Sequence, residues 1–101
     1  MQFKTKIMVP SEGTTFILTV PPNISFDILR DRIETKLHRI TNLTFDMGVR
    51  LQFIDDDDGE YITMQNDDDV QTVFEQWREL HSRDSTTTQQ LGEITLYCNK
   101  I

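Results

Sequence analysis

The sequence predicts an α+β domain: a mixed sheet with two helices packed on one face, in the order ββαββαβ. Three observations carry this. Apolar residues alternate with polar ones in several short stretches, the period of a half-buried strand. Two longer stretches place apolar residues three or four apart, the period of an amphipathic helix. Turn and cap residues separate the stretches, and the 101 residues suffice for a single domain around one core, spanning about residues 3–98.

The first strand runs from Phe3 to Val9: Phe3, Thr5, Ile7 and Val9 point one way, Lys4, Lys6 and Met8 the other. Pro10-Ser11-Glu12-Gly13 is a turn signal. Phe16, Leu18 and Val20 continue the period of two, so the first unit is a hairpin, and Pro21-Pro22 stops it. Ser25 is a helix N-cap. Behind it Phe26, Leu29, Ile33, Leu37 and Ile40 define an amphipathic helix over about Ser25 to Arg39. Val49, Leu51 and Phe53 form a third strand, and Tyr61 to Met64 a short fourth. Asn66 or Asp67 caps a second helix, whose apolar positions are Val70, Val73, Phe74, Trp77 and Leu80. Ser82 to Gln90 is polar and reads as a mobile loop. Ile94, Leu96 and Cys98 alternate as the last strand. A hairpin crossed by a helix and followed by further strands is the order of a ubiquitin-like β-grasp.

Charge narrows the function. Net charge is -7 and the sequence pI about 4.6, with 37% hydrophobic and 27% charged residues. That is the composition of a folded domain, and its sign argues against nucleic acid and anionic membrane surfaces, which select basic proteins. No apolar run approaches the roughly 20 residues of a membrane span, and no signal peptide is visible. Cys98 is the single cysteine, which excludes an internal disulfide. A cytoplasmic setting is expected. Met1 is either an initiator or an addition to a domain cut from a longer protein.

The acidic residues are concentrated. Asp55, Asp56, Asp57, Asp58 and Glu60 form one burst, and Asp67, Asp68 and Asp69 a second, separated by the strand-like YITM. Crowded carboxylates repel one another, and a cation or cationic partner relieves the repulsion. The acids opening the second helix also suit the positive end of its dipole.

Catalysis is not expected. His38 and His81 stand at helix ends, away from any serine or cysteine in a nucleophile setting, and the four glycines are dispersed rather than gathered into a phosphate loop. The carboxylates lie in a polar loop with nothing to raise one pKa selectively. No cofactor is implied. Calcium is an alternative, since Asp56, Asp58 and Gly59 match the middle of a calcium loop. The template then puts its first ligand at Ile54 and its closing acid at Gln65, and strands rather than helices flank it. A ubiquitin-like modifier is a second alternative. It would end in a flexible Gly-Gly tail, whereas this chain ends Cys98-Asn99-Lys100-Ile101.

The segment from Phe53, FIDDDDGEYITMQNDDDV, resembles the acidic signature of the Phox-and-Bem (PB-one) interaction domain. In that family an aromatic strand residue precedes D-x-D-G-D, then comes a short strand, then a second acidic group opening a helix. The surrounding element order agrees over nearly the whole chain. This sequence carries one more Asp between Phe53 and Gly59 than the usual spacing. Anchoring on Gly59 assigns Asp56, Asp58 and Glu60 to the first group; anchoring on Phe53 favours Asp55 and Asp57. The second group, Asp67, Asp68 and Asp69, matches without a gap.

The resemblance implies a partner. Acidic members bind, front to back, a lysine or arginine patch on a basic domain of the same family, here expected on a scaffold protein. Basic members carry a lysine in the first strand. Lys6 stands at a similar position, with Lys4 on the same face, while the second strand has no basic residue. Chains with both halves join head to tail, so self-association is a lesser expectation. The wording ITM-QNDDDV is most like that of fungal exchange factors for Rho-type GTPases in cell polarity, with an oxidase regulator close behind.

Overall fold

The computed structural model describes residues 2–55, 58–82 and 94–100. Five strands and two helices follow in the expected order: β1 (Phe3–Val9), β2 (Thr14–Val20), α1 (Phe26–Thr41), β3 (Val49–Ile54), β4 (Tyr61–Thr63), α2 (Asp67–Ser82) and β5 (Ile94–Lys100). The sheet order is β2-β1-β5-β3-β4. β1 and β5 run parallel at the centre, and the other neighbours pair antiparallel. This is a mixed five-stranded sheet of the ubiquitin-like type.

Alternation decides the two faces of the sheet. Phe3, Thr5, Ile7 and Val9 are all buried, while Lys4 is exposed and Lys6 and Met8 are half-buried. Leu51, Phe53, Leu96 and Cys98 repeat the pattern on β3 and β5. The helices cover this inner face with Leu29, Ile33 and Leu37 from α1 and Val70, Val73 and Phe74 from α2. Phe74 meets Phe3 edge to face at 5.1 Å, and Trp77 lies 5.1 Å from the same ring. Thr5 is the buried polar exception among the described residues, and its hydroxyl donates to the Leu18 carbonyl at 2.8 Å. The outer face stays open. There Asn99, Gln52 and Thr63 form a side-chain ladder across β5, β3 and β4, with bonds of 2.8 and 2.9 Å.

Local chemistry sets the boundaries. Pro10–Glu12 is one 3-10 turn, closed by Gly13 in the left-handed region at φ 62. Ser25 caps α1 by accepting from the Ile28 N–H. The helix runs two residues past its expected end, to Thr41, and is closed by Asn42, whose left-handed backbone donates to the His38 carbonyl at 2.9 Å. Ile40, read as part of the apolar stripe, is exposed instead. Leu43 and Phe45 take the core positions at this end. Phe45 opens a 3-10 turn (Phe45–Met47) held by Glu34, which accepts the Phe45 N–H at 2.8 Å. Of the predicted polar loop, Ser82 belongs to α2 and residues 83–90 lie outside the described residues.

Candidate functional site

The first acidic group sits on the turn between β3 and β4. Asp55 closes that turn from one side: its N–H donates to the Glu60 carbonyl, and its own carbonyl accepts the Gly59 N–H, both at 2.9 Å. Gly59 has φ 72, a value that strains any residue with a Cβ. Asp58 accepts the Glu60 N–H at 3.0 Å, the local bond that makes aspartate a turn residue. Asp58 and Glu60 are exposed and Asp55 is half-buried. Asp56 and Asp57 lie outside the described residues.

The second group opens α2. Asn66 is the N-cap, accepting the Asp69 N–H at 3.0 Å. Asp69 reaches back and accepts the Gln65 N–H at 2.8 Å, one residue before the cap, so the bond resembles a capping box displaced by one position. Asp67 accepts the Phe26 N–H at 2.7 Å. Asp68 is exposed; its carbonyl accepts the Thr72 hydroxyl, and its carboxylate makes no hydrogen bond among the described residues. All three carboxylates stand at the positive end of the helix, which favours their charge.

Few residues separate the two groups. Met64 donates its N–H to the Leu51 carbonyl at 2.9 Å, which pins the connection between β4 and α2 to β3. Among the described residues, Asp58, Glu60, Asp67, Asp68 and Asp69 make no ion pair within the molecule. The result is an anionic surface whose turn and helix start are held by hydrogen bonds to the backbone and whose charges meet no cation among the described residues.

The basic candidates lie elsewhere on the sheet. Lys4 and Lys6 project from the outer face of β1, opposite Thr19 and Ile17 of β2. Three strand spacings separate β1 from β4, about 14 Å across the strands, which exceeds the screening length of about 8 Å at physiological salt. The lysines therefore do not neutralise the acidic turn of the same molecule.

Among the described residues no three His, Cys, Asp or Glu side chains are grouped to hold a metal ion. The turn that resembled a calcium loop is flanked by β3 and β4, as its sequence indicated. Cys98 is buried, and burial pushes its thiol up to about 12, away from nucleophilic reactivity. No helix among the described residues is long and apolar enough to cross a membrane.

Sequence reasoning named the acidic positions and missed the internal duties of three of them, Asp58, Asp67 and Asp69. The bond from Phe26 to Asp67 spans 41 positions and leaves no local trace. The Asn66–Asp69 pair had a readable signal, an N-cap type three residues before an acid.

The family model described as PB1 domain matches residues 3–100. Among solved structures, the AtNBR1-PB1 domain superposes with a TM-score of 0.55 at 17% sequence identity, covering 96% of this chain and 94% of that one. The L-type AtNBR1-PB1 filament, solved by cryo-EM, gives 0.56 at 17% identity, covering 98% and 94%. At such identity these two likenesses concern the fold. No curated protein matches the chain.

Proposed function

The chain belongs to the PB1 domain family, whose members are protein–protein interaction modules rather than catalysts, and we propose that it binds a basic PB1 domain front to back through its acidic face. One observation carries this. The turn holding Asp58 and Glu60 and the helix start holding Asp67, Asp68 and Asp69 are fixed by backbone hydrogen bonds. Their charges still meet no cation within the molecule among the described residues. Holding like charges together in this way favours a partner of opposite charge, which repulsion within the free domain drives it toward.

Charge complementarity steers the encounter and sets the register of the complex. Close ion pairs couple by roughly 1.5 to 7 kcal/mol, so a few of them account for a micromolar affinity near about -8 kcal/mol. The setting we propose is recruitment of a signalling protein to a scaffold. The polarity exchange factor and the oxidase regulator are the parents that the resemblance of the Ile62–Val70 segment favours.

Self-association is the second reading. A neighbour of the same fold forms a filament, and Lys4 and Lys6 give this chain a cationic spot away from its acids. A chain with both faces propagates without closing. With no basic residue on β2, we rank this contact below the heteromeric one.

Titration against a basic PB1 domain at increasing ionic strength tests the proposal. Affinity should fall steeply between 50 and 500 mM salt as the surface charges are screened, a range over which the screening length shrinks by about threefold. An affinity indifferent to salt contradicts it.

A further inference from the structure

Alternation puts two tyrosines on the outer face of the sheet, away from the helices. Leu51 and Phe53 of β3 are buried on the inner face, so Gln52 and Ile54 point outward. Tyr61 of β4 pairs with Ile54, and Tyr97 of β5 pairs with Gln52. Residues paired across neighbouring strands share a face. β3 runs between β4 and β5, which holds those two backbones about 10 Å apart. The Tyr61 and Tyr97 rings nevertheless meet edge to face, with centroids 5.1 Å apart and planes at 81°. They therefore lean toward each other across β3, at the end of the strand that runs into the acidic turn. Asp55 follows Ile54, and Glu60 precedes Tyr61.

An edge-to-face pair occupies the edge of one ring and one face of the other, so further ring faces stay open. Tyr61 is 50% exposed. The face of an aromatic ring carries negative potential and attracts a cation. Elsewhere the chain covers such faces with its own cations: Arg30 lies 4.8 Å from the centre of Phe45, Lys36 5.8 Å from Phe16 and Arg78 5.3 Å from Phe3. Among the described residues no cation lies over Tyr61 or Tyr97. An open aromatic surface thus adjoins the turn that carries the exposed carboxylates of Asp58 and Glu60.

We propose that Tyr61, braced by Tyr97, extends the acidic face and selects arginine over lysine in the partner, an inference that rests on reading that face as a docking surface. A guanidinium is planar and weakly hydrated, so it stacks on a ring while the N–H groups at its rim bond a carboxylate. An ammonium is a compact, strongly hydrated point charge, which a carboxylate pairs without the ring. The carboxylates attract either cation; the ring adds to the attraction of one.

The test is titration of the whole chain, at about 50 mM salt where surface charges are weakly screened, with two end-blocked peptides. Five Gly-Arg repeats and five Gly-Lys repeats have equal length and charge. The arginine peptide should bind about two- to fivefold more tightly, the range of one exposed cation–π contact. It should also shift the ring protons of Tyr61 more than the lysine peptide does, a reading that needs no variant. Tyr61→Leu should erase the preference by weakening the arginine peptide alone, and Tyr61→Phe, which keeps the ring, should retain it. Asp68→Asn should weaken both peptides by the same factor. Equal affinity for the two peptides, or a preference that survives Tyr61→Leu, overturns the arginine selection and leaves the acidic-face reading standing. Failure of both peptides to bind, or indifference of both to Asp68→Asn, overturns that reading and this inference with it.

Discussion

The Asp67 carboxylate at the start of α2 accepts a 2.7 Å hydrogen bond from the backbone N–H of Phe26, the first residue of α1. The first N–H groups of a helix have no partner inside it, and a carboxylate satisfies one with a charge-assisted bond. One acid therefore serves the starts of both helices. The second acidic group is tied to the scaffold, and its exposed neighbour Asp68 is presented from a fixed base.

That bond predicts unequal costs for two adjacent substitutions. Asp67→Ala should lower stability by about 1 kcal/mol, the usual cost of losing a cap. Asp68→Ala should stay within about 0.5 kcal/mol, as surface changes do. Urea unfolding midpoints of the two variants check this; equal midpoints would contradict it.

Gly59 and Gly13 separate conformational strain from binding. Both have positive φ, 72 and 62, and at each an added Cβ would meet nothing within 4 Å. Alanine at either site should cost about 1–2 kcal/mol through backbone strain alone. Gly59→Ala should also weaken partner binding, because Gly59 shapes the acidic turn, whereas Gly13→Ala should not. Unfolding and binding titrations of the pair decide.

The core makes a contrast between two apolar residues. Phe74 is fully buried against Phe3 and should cost about 3–5 kcal/mol when replaced by alanine. Ile40, 47% exposed, should cost little. Thermal or urea unfolding reads both, and a large loss at Ile40→Ala would mean that α1 packs differently.

Cys98 gives a pH prediction with a definite sign. Burial raises the folded thiol from 9.0 to about 12. Its contribution is fully present below pH 9 and is lost as pH rises toward about 12, because the unfolded thiol ionises first. Ellman's reagent at pH 8 should leave the native thiol unmodified and react once urea is added. Between pH 9 and 10.5, stability should fall less in Cys98→Ala than in the parent chain.

Much of this was legible because the signals were local. The period-two runs at Phe3–Val9 and Val49–Phe53, the cap at Ser25 and the turn at Pro10–Gly13 each follow from neighbours a few residues apart. Ile40 misled because helical spacing continues a stripe past the point where the sheet stops covering it, and Leu43 and Phe45 reach the core there instead. The partner of Asp67 was invisible, being set by how two helix starts meet.

The central claim, that the acidic face is the docking surface, is tested most directly by calorimetric titration of the Asp58→Asn, Asp68→Asn double variant against a basic PB1 domain. Asparagine keeps the oxygen that accepts the Glu60 N–H, so the turn should persist. At the lower bound of about 1.5 kcal/mol for each lost pair, affinity should fall by at least about 100-fold. A folded double variant that binds as tightly as the parent chain would contradict the account.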